Sequence, residues 1–229
     1  MPINRAQLAK MVDYSILKPD ATEEDVRRVC GEAMNYHVAT VCINPAWVGL
    51  VSDLLKGSDV KVNTVVDFPF GASTARAKSF EALDAIERGA TELDMVINIG
   101  ALKSGYLDLV RRGIERVVDV ARTKETEVGE TIIIKVIIET CYLTEREKRL
   151  ASEIVKRVGA DFVKTSTGYG SAGATADDVK LIREVVRLDV GVKASGGIRD
   201  CASALELIGA GATRIGTSVA VKILEECKE

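Results

Sequence analysis

A single histidine, His37, stands among 229 residues, and no two of the five cysteines form a C-x-x-C pair. Catalytic zinc sites gather several His or Cys ligands within reach of one another, and a serine-type triad requires a placed imidazole. Both chemistries are disfavoured. Aromatic residues make up only 4% of the chain, so its core must be built from Val, Ile, Leu and Ala. Basic residues are not in excess either. The 31 Lys and Arg face 34 Asp and Glu, a net charge of −3 with no basic stripe, which argues against nucleic acid or an anionic membrane surface as partner. No run approaches the about 18 uninterrupted apolar residues of a membrane span, and "MPINRAQLAKMVDY" lacks the apolar stretch of a signal peptide. A cytoplasmic protein is expected. Its Cys30, Cys42, Cys141, Cys201 and Cys227 are then reduced thiols packed as small hydrophobes.

What the chain does have is alternation. Short β-type runs at 11–16, 38–43, 60–66, 91–97, 131–138, 160–165, 190–194 and 213–216 alternate with amphipathic stretches at 22–35, 46–55, 74–88, 106–122, 145–157, 176–187, 200–208 and 218–227. Thr144 with Glu147, and Thr175 with Asp178, carry the polar-x-x-acid signature of helix starts. "RGATELD", "VGADFV" and "GAGATRI" each place Gly-Ala between a helix and the next strand, a weak internal repeat of one joint. Strands that are nearly continuous in apolar residues belong to a parallel sheet covered on its outer face, and eight β-α units close into a (β/α)8 TIM barrel. A short helix is expected ahead of the first strand. An open doubly wound sheet is the rival, but the first β-α turn reads "SILKPDAT" and holds no G-x-G-x-x-G fingerprint. Without a linker or composition shift, residues 1–229 read as one catalytic domain.

The interruptions of the apolar strands carry the chemistry. Period two puts Lys164 on the face of Phe162, Lys193 on that of Gly191, which leaves room for its long stem, Asp94 opposite Leu93 and Met95, and Lys135 inside "IIIKVII". In a barrel these four charges converge on its interior or mouth, where active sites lie. A buried ion-pair network without chemistry would use the same residues. A lysine nucleophile, however, must be neutral, against an ordinary pKa of about 10.4, and both desolvation and a second cation lower it. Two lysines and one carboxylate without metal ligands suit an iminium-forming site, with the aspartate moving protons. After the last two strands, "KASGGIRD" and "RIGTSVA" place Gly196, Gly197, Gly216 and Ser218 where barrel enzymes bind phosphate. His37 reads as a surface or cap residue, Trp47 as packing, and "TEREKR" as a solvated helix start.

Six blocks, "VCINPAWV", "VVDFPFG", "ELDMVINIG", "KVIIETCYL", "FVKTSTGYG" and "VKASGGIR", resemble those of the deoxyribose-phosphate aldolases in the same order, over residues 12–224. The resemblance implies a class I aldolase that reversibly cleaves 2-deoxy-D-ribose 5-phosphate to D-glyceraldehyde 3-phosphate and acetaldehyde. It implies Lys164 as the Schiff-base residue, Lys193 as the neighbouring ammonium that tunes its pKa and relays protons, and Asp94 as acid/base group. Lys135 would be a supporting charge, and the "SGG" and "IGTS" segments would hold the phosphate. No cofactor and a homo-oligomer are expected. Tyr14 and Ser15 replace the His-Thr of many relatives, Tyr169 a lysine found in one branch, and Val219 a second serine; these touch phosphate recognition and packing. Another Schiff-base barrel aldolase, transaldolase-like or acting on a sugar bisphosphate, is the alternative enzyme. A catalytically dead scaffold barrel is the alternative outside enzymology.

Overall fold

The computed structural model describes residues 3–227. Eight parallel strands close on themselves in sequence order, each hydrogen-bonded to the next and the last to the first. They are β1 (Val12–Ile16), β2 (Thr40–Ile43), β3 (Lys61–Val66), β4 (Glu92–Val96), β5 (Ile133–Ile137), β6 (Phe162–Lys164), β7 (Gly191–Ser195) and β8 (Arg214–Thr217). The helices are α1 (Arg5–Ala9), α2 (Glu23–Tyr36), α3 (Val48–Leu54), α4 (Ala75–Glu87), α5 (Ile99–Lys103), α6 (Leu107–Val128), α7 (Glu145–Arg157), α8 (Ala176–Val186), α9 (Cys201–Gly209) and α10 (Ala220–Glu226). This is the barrel expected from the strand pattern, with α1 as the expected leading helix.

Capping explains several boundaries. Thr144 and Glu147 satisfy each other's backbone N–H groups at the start of α7, as do Thr22 and Asp25 at α2. At α8 only half of the expected exchange forms. Thr175 accepts from the Asp178 N–H, while the Asp178 carboxylate turns away to Lys148. The predicted helix over 106–122 runs on to residue 128. Its polar end, "RTKETEV", consists largely of residues that tolerate a helix, and the stop comes only at Gly129, with φ 69°. The predicted helix over 46–55 begins instead as a 3-10 turn, Pro45–Trp47, where proline removes a backbone donor. His37 ends α2 at φ 52° and bonds Asp59, an exposed cap as expected.

Two layers of packing follow from the period-two alternation. Outward residues such as Val12, Val41, Leu93, Met95, Ile134, Val163, Val192 and Ile215 form one apolar shell with the buried helix faces. Inward residues are different in kind: Asp13, Thr40, Asn63, Glu92, Asp94, Lys135, Lys164 and Lys193 are all buried. A charged interior replaces the branched aliphatic layers usual in such barrels. One cysteine expectation is corrected. Cys30, Cys42 and Cys141 are free, but Cys201 and Cys227 are joined, their Cα atoms 5.4 Å apart where the start of α9 meets the end of α10. A separation of 26 residues carries no local signature of that pairing.

Candidate active site

Strand register brings the charges together. Asp94 pairs with Lys135 across β4 and β5, and Lys164 pairs with Lys193 across β6 and β7. One oxygen of Asp94, Oδ2, accepts from both Lys164 Nζ and Lys193 Nζ, each at 2.6 Å. Its other oxygen accepts from Lys135 Nζ at 2.9 Å. All four predicted residues are therefore in one contact set. Lys164 alone of the four retains any exposure, 3%, against 0% for the others.

Three charged residues of the cluster itself were missed. Asp13 accepts from Lys193 and, at 2.6 Å, from Arg214. Glu92 accepts from Lys135 at 2.6 Å and from Arg214 at 3.0 Å. The signal was present, since Asp13, Glu92 and Arg214 share strand parity with the residues already singled out. Glu139 was missed as well. It is buried at φ 55° after β5, and its carboxylate takes the Thr167 N–H and hydroxyl, holding the loop that leaves β6. A non-glycine residue held at positive φ marks a position that its surroundings impose.

The glycines are placed differently from the sequence reading. A Cβ on Gly191 would fall 2.3 Å from the Phe162 ring, so Gly191 accommodates that ring rather than the stem of Lys193. Room for the stem comes from Gly216, where a Cβ would lie 3.1 Å from Lys193 Cε. Gly196 and Gly197 follow β7 at φ 87° and 79°. The amides of Gly197 and Ser218 donate to no acceptor among the described residues, whereas that of Gly196 falls in the ladder next to the Ser195–Gly216 pair and the Val219 N–H is already bonded to Thr217 Oγ1. Ser218 is exposed and lines a groove of about 1450 Å³ with Arg5, Tyr14 and Lys222, among others. Tyr14 points outward to Glu32, and Tyr169 donates to the Leu17 carbonyl at 2.8 Å while meeting Phe68 edge-on. Both therefore contribute to packing and loop fixation.

The electrostatics single out one amine. Burial pushes Lys164 below the ordinary lysine value, Lys193 adds to that, and Asp94 opposes both. Burial would lower Lys193 and Lys135 too, but carboxylates outweigh it: Asp13 and Asp94 raise Lys193, while Asp94, Glu92 and Asp13 raise Lys135. Burial opposes ionisation of Asp94, yet its three lysines hold it well below the usual carboxylate range. Among these lysines, only Lys164 is moved towards the neutral form. Fold stability does not call for such a cluster, because well-packed apolar residues often replace buried ion pairs at no loss.

A profile of the DeoC/LacD family aldolases matches residues 8–223. The chain belongs to that family. It is 54% identical over 222 residues to the deoxyribose-phosphate aldolase of Clostridium tetani, covering 97% of this chain and all of that one. A Geobacillus deoxyribose-phosphate aldolase is 54% identical over 218 residues, 95% of each chain. Among solved structures, the tetrameric deoxyribose phosphate aldolase of Aeropyrum pernix superposes with a TM-score of 0.88 at 36% identity, covering 97% of this chain and 91% of that one. The family places this barrel among the aldolases, so carbon–carbon bond cleavage is the chemistry the charged interior has to serve.

Proposed function

We propose that this chain is a class I deoxyribose-phosphate aldolase, cleaving 2-deoxy-D-ribose 5-phosphate reversibly to D-glyceraldehyde 3-phosphate and acetaldehyde. The observation that carries this reading is the position of Lys164. It is the one slightly exposed lysine of the buried cluster, its amine held towards the neutral form beside Lys193 and against Asp94. The neutral amine attacks C1 of the open-chain sugar, and loss of water leaves an iminium. The C3 hydroxyl then gives up its proton, the C2–C3 bond breaks, and its electron pair forms the enamine. Glyceraldehyde 3-phosphate departs. Protonation of the enamine carbon and addition of water release acetaldehyde and restore Lys164. Asp94 is the group that accepts and returns these protons, directly or through water, while Lys193 and Lys135 keep it ionised between steps. The whole cycle runs in one catalytic unit, without metal or organic cofactor. The phosphorylated substrate suits the cytoplasm, and the tetrameric A. pernix relative supports self-association of this chain as well. Among the described residues no helix is long and apolar enough to cross a membrane.

The phosphate end rests on backbone amides. Those of Gly197 and Ser218 are unclaimed, with Gly196 beside them, and amides are fixed by the fold where side chains are not. We expect kcat/KM for 2-deoxyribose 5-phosphate to exceed that for 2-deoxyribose clearly in the wild-type chain. Gly197→Val, forced into φ 79°, should remove most of that preference, because a branched side chain displaces the amide. Val219→Ser should recover little, since its N–H stays on Thr217. Equal values for the two sugars in the wild type would show that these loops bind no phosphate. Release of other aldehydes instead of acetaldehyde would favour a transaldolase-like reaction.

A further inference from the structure

The floor of the barrel fixes how many protons its interior holds. Four cations, Lys135, Lys164, Lys193 and Arg214, are linked by direct contacts to three carboxylates, Asp13, Glu92 and Asp94. With every group ionised the cluster carries one surplus positive charge (four against three); with Lys164 neutral it carries none. The other inward polar groups of β2 and β3, Thr40 and Asn63, are uncharged.

We propose that Arg214 and Glu92 are positioning residues for the aldolase reaction, setting the protonation of Lys164 through this charge balance without touching the substrate. Arg214 grips Asp13 and Glu92 below and lies against the Phe162 ring, while those two carboxylates hold Lys193 and Lys135 in turn. Lys164 meets Asp94 from β4 and Lys193 from β7, with Lys135 of β5 and Asp13 of β1 behind them. On the β2 side the titratable neighbour is Cys42, and burial pushes its thiol up to about 11, so it stays neutral and leaves the count unchanged. Of the three lysines Lys164 is the one that yields its proton, because it alone retains exposure and is held by a single carboxylate.

The inference rests on Lys164 being the Schiff-base residue, and its test separates the two claims. The experiment follows the initial rate of labelling by acetaldehyde and cyanoborohydride against pH, with peptide mapping of the modified lysine. Removing a floor cation leaves the fully ionised cluster neutral, so Lys164 keeps its proton longer. Arg214→Met should therefore move the midpoint of Lys164 labelling up by about one pH unit, taking a unit charge about 10 Å away at an effective dielectric of about 20. Glu92→Gln leaves two surplus charges and should move the midpoint down by a similar amount. The double variant returns the surplus to one, and its midpoint should return towards that of the wild type, as should that of Arg214→Lys. A purely structural role would not produce opposite shifts that cancel. Labelling of a different lysine in the wild type would overturn the Schiff-base assignment. Labelling of Lys164 with unmoved midpoints in Arg214→Met and Glu92→Gln would overturn the charge-balance proposal alone. Should Arg214→Met fail to fold, Glu92→Gln decides, and a midpoint that stays or rises overturns the proposal.

Discussion

Lys193→Leu is expected to lose up to about 100-fold in kcat/KM at pH 7 and to regain much of it as the pH rises. Lys193 and Lys164 both stand 2.6 Å from the same oxygen of Asp94, so their amines are at most about 5 Å apart. A unit charge at that separation, at an effective dielectric of about 20, is worth roughly 2 pKa units. Without it Asp94 faces Lys164 and Lys135 only, and its pull on the Lys164 proton is less opposed. The neutral, nucleophilic fraction of Lys164 falls accordingly. The sign is fixed: raising the pKa of the amine moves the acid limb of the pH profile to higher pH, so the deficit shrinks in alkaline buffer. Leucine fills much of the space left by the lysine stem against Gly216, which favours a folded variant. A near-normal rate at pH 7, or a loss that is the same at every pH, would remove Lys193 from this role.

Asp94→Asn is expected to lose about 10²- to 10⁴-fold in kcat, the range associated with losing a positioned acid/base group. Its pH behaviour should be the opposite of that of Lys193→Leu. The amide retains the volume but carries no charge, and three lysines lose the carboxylate they share. Lys164 then becomes more easily neutral, not less. Inactivity with an acid limb at lower pH would place the defect in proton transfer rather than in formation of the nucleophile. Removing one partner from buried ion pairs typically destabilises by about 3–5 kcal/mol, so a lower melting temperature accompanies the loss. Proton exchange at the methyl group of acetaldehyde isolates the step. If Asp94→Asn exchanges those protons at the wild-type rate, Asp94 does not carry them.

Strand parity made most of this site legible. Lysines in the apolar runs "DFVKT" and "VGVKAS" conflict with burial unless they have partners, and the same count of two places Asp94 and Lys135 beside them. Applied to "VDYSI", "ELDMV" and "RIGT", the count would also have found Asp13, Glu92 and Arg214. Which glycine serves which side chain was not legible. That depends on strand stagger, and the stagger puts Gly191 against Phe162 and Gly216 against Lys193. The role of Glu139 was hidden too, because its contact with Thr167 crosses between loops and has no sequence period. Neither Cys201 nor Cys227 announces its partner, since helix packing alone brings them together.

The central claim is that one amine, that of Lys164, carries the covalent chemistry. Incubation of the wild-type chain with acetaldehyde and borohydride, followed by peptide mass mapping, tests it most directly. Reduction of the iminium adds one ethyl group per chain, and it should sit on Lys164 in stoichiometric yield. Lys193 and Lys135, which their carboxylates hold in the charged form, should remain unmodified. An ethyl group on either of those lysines, or none on Lys164, would contradict the account.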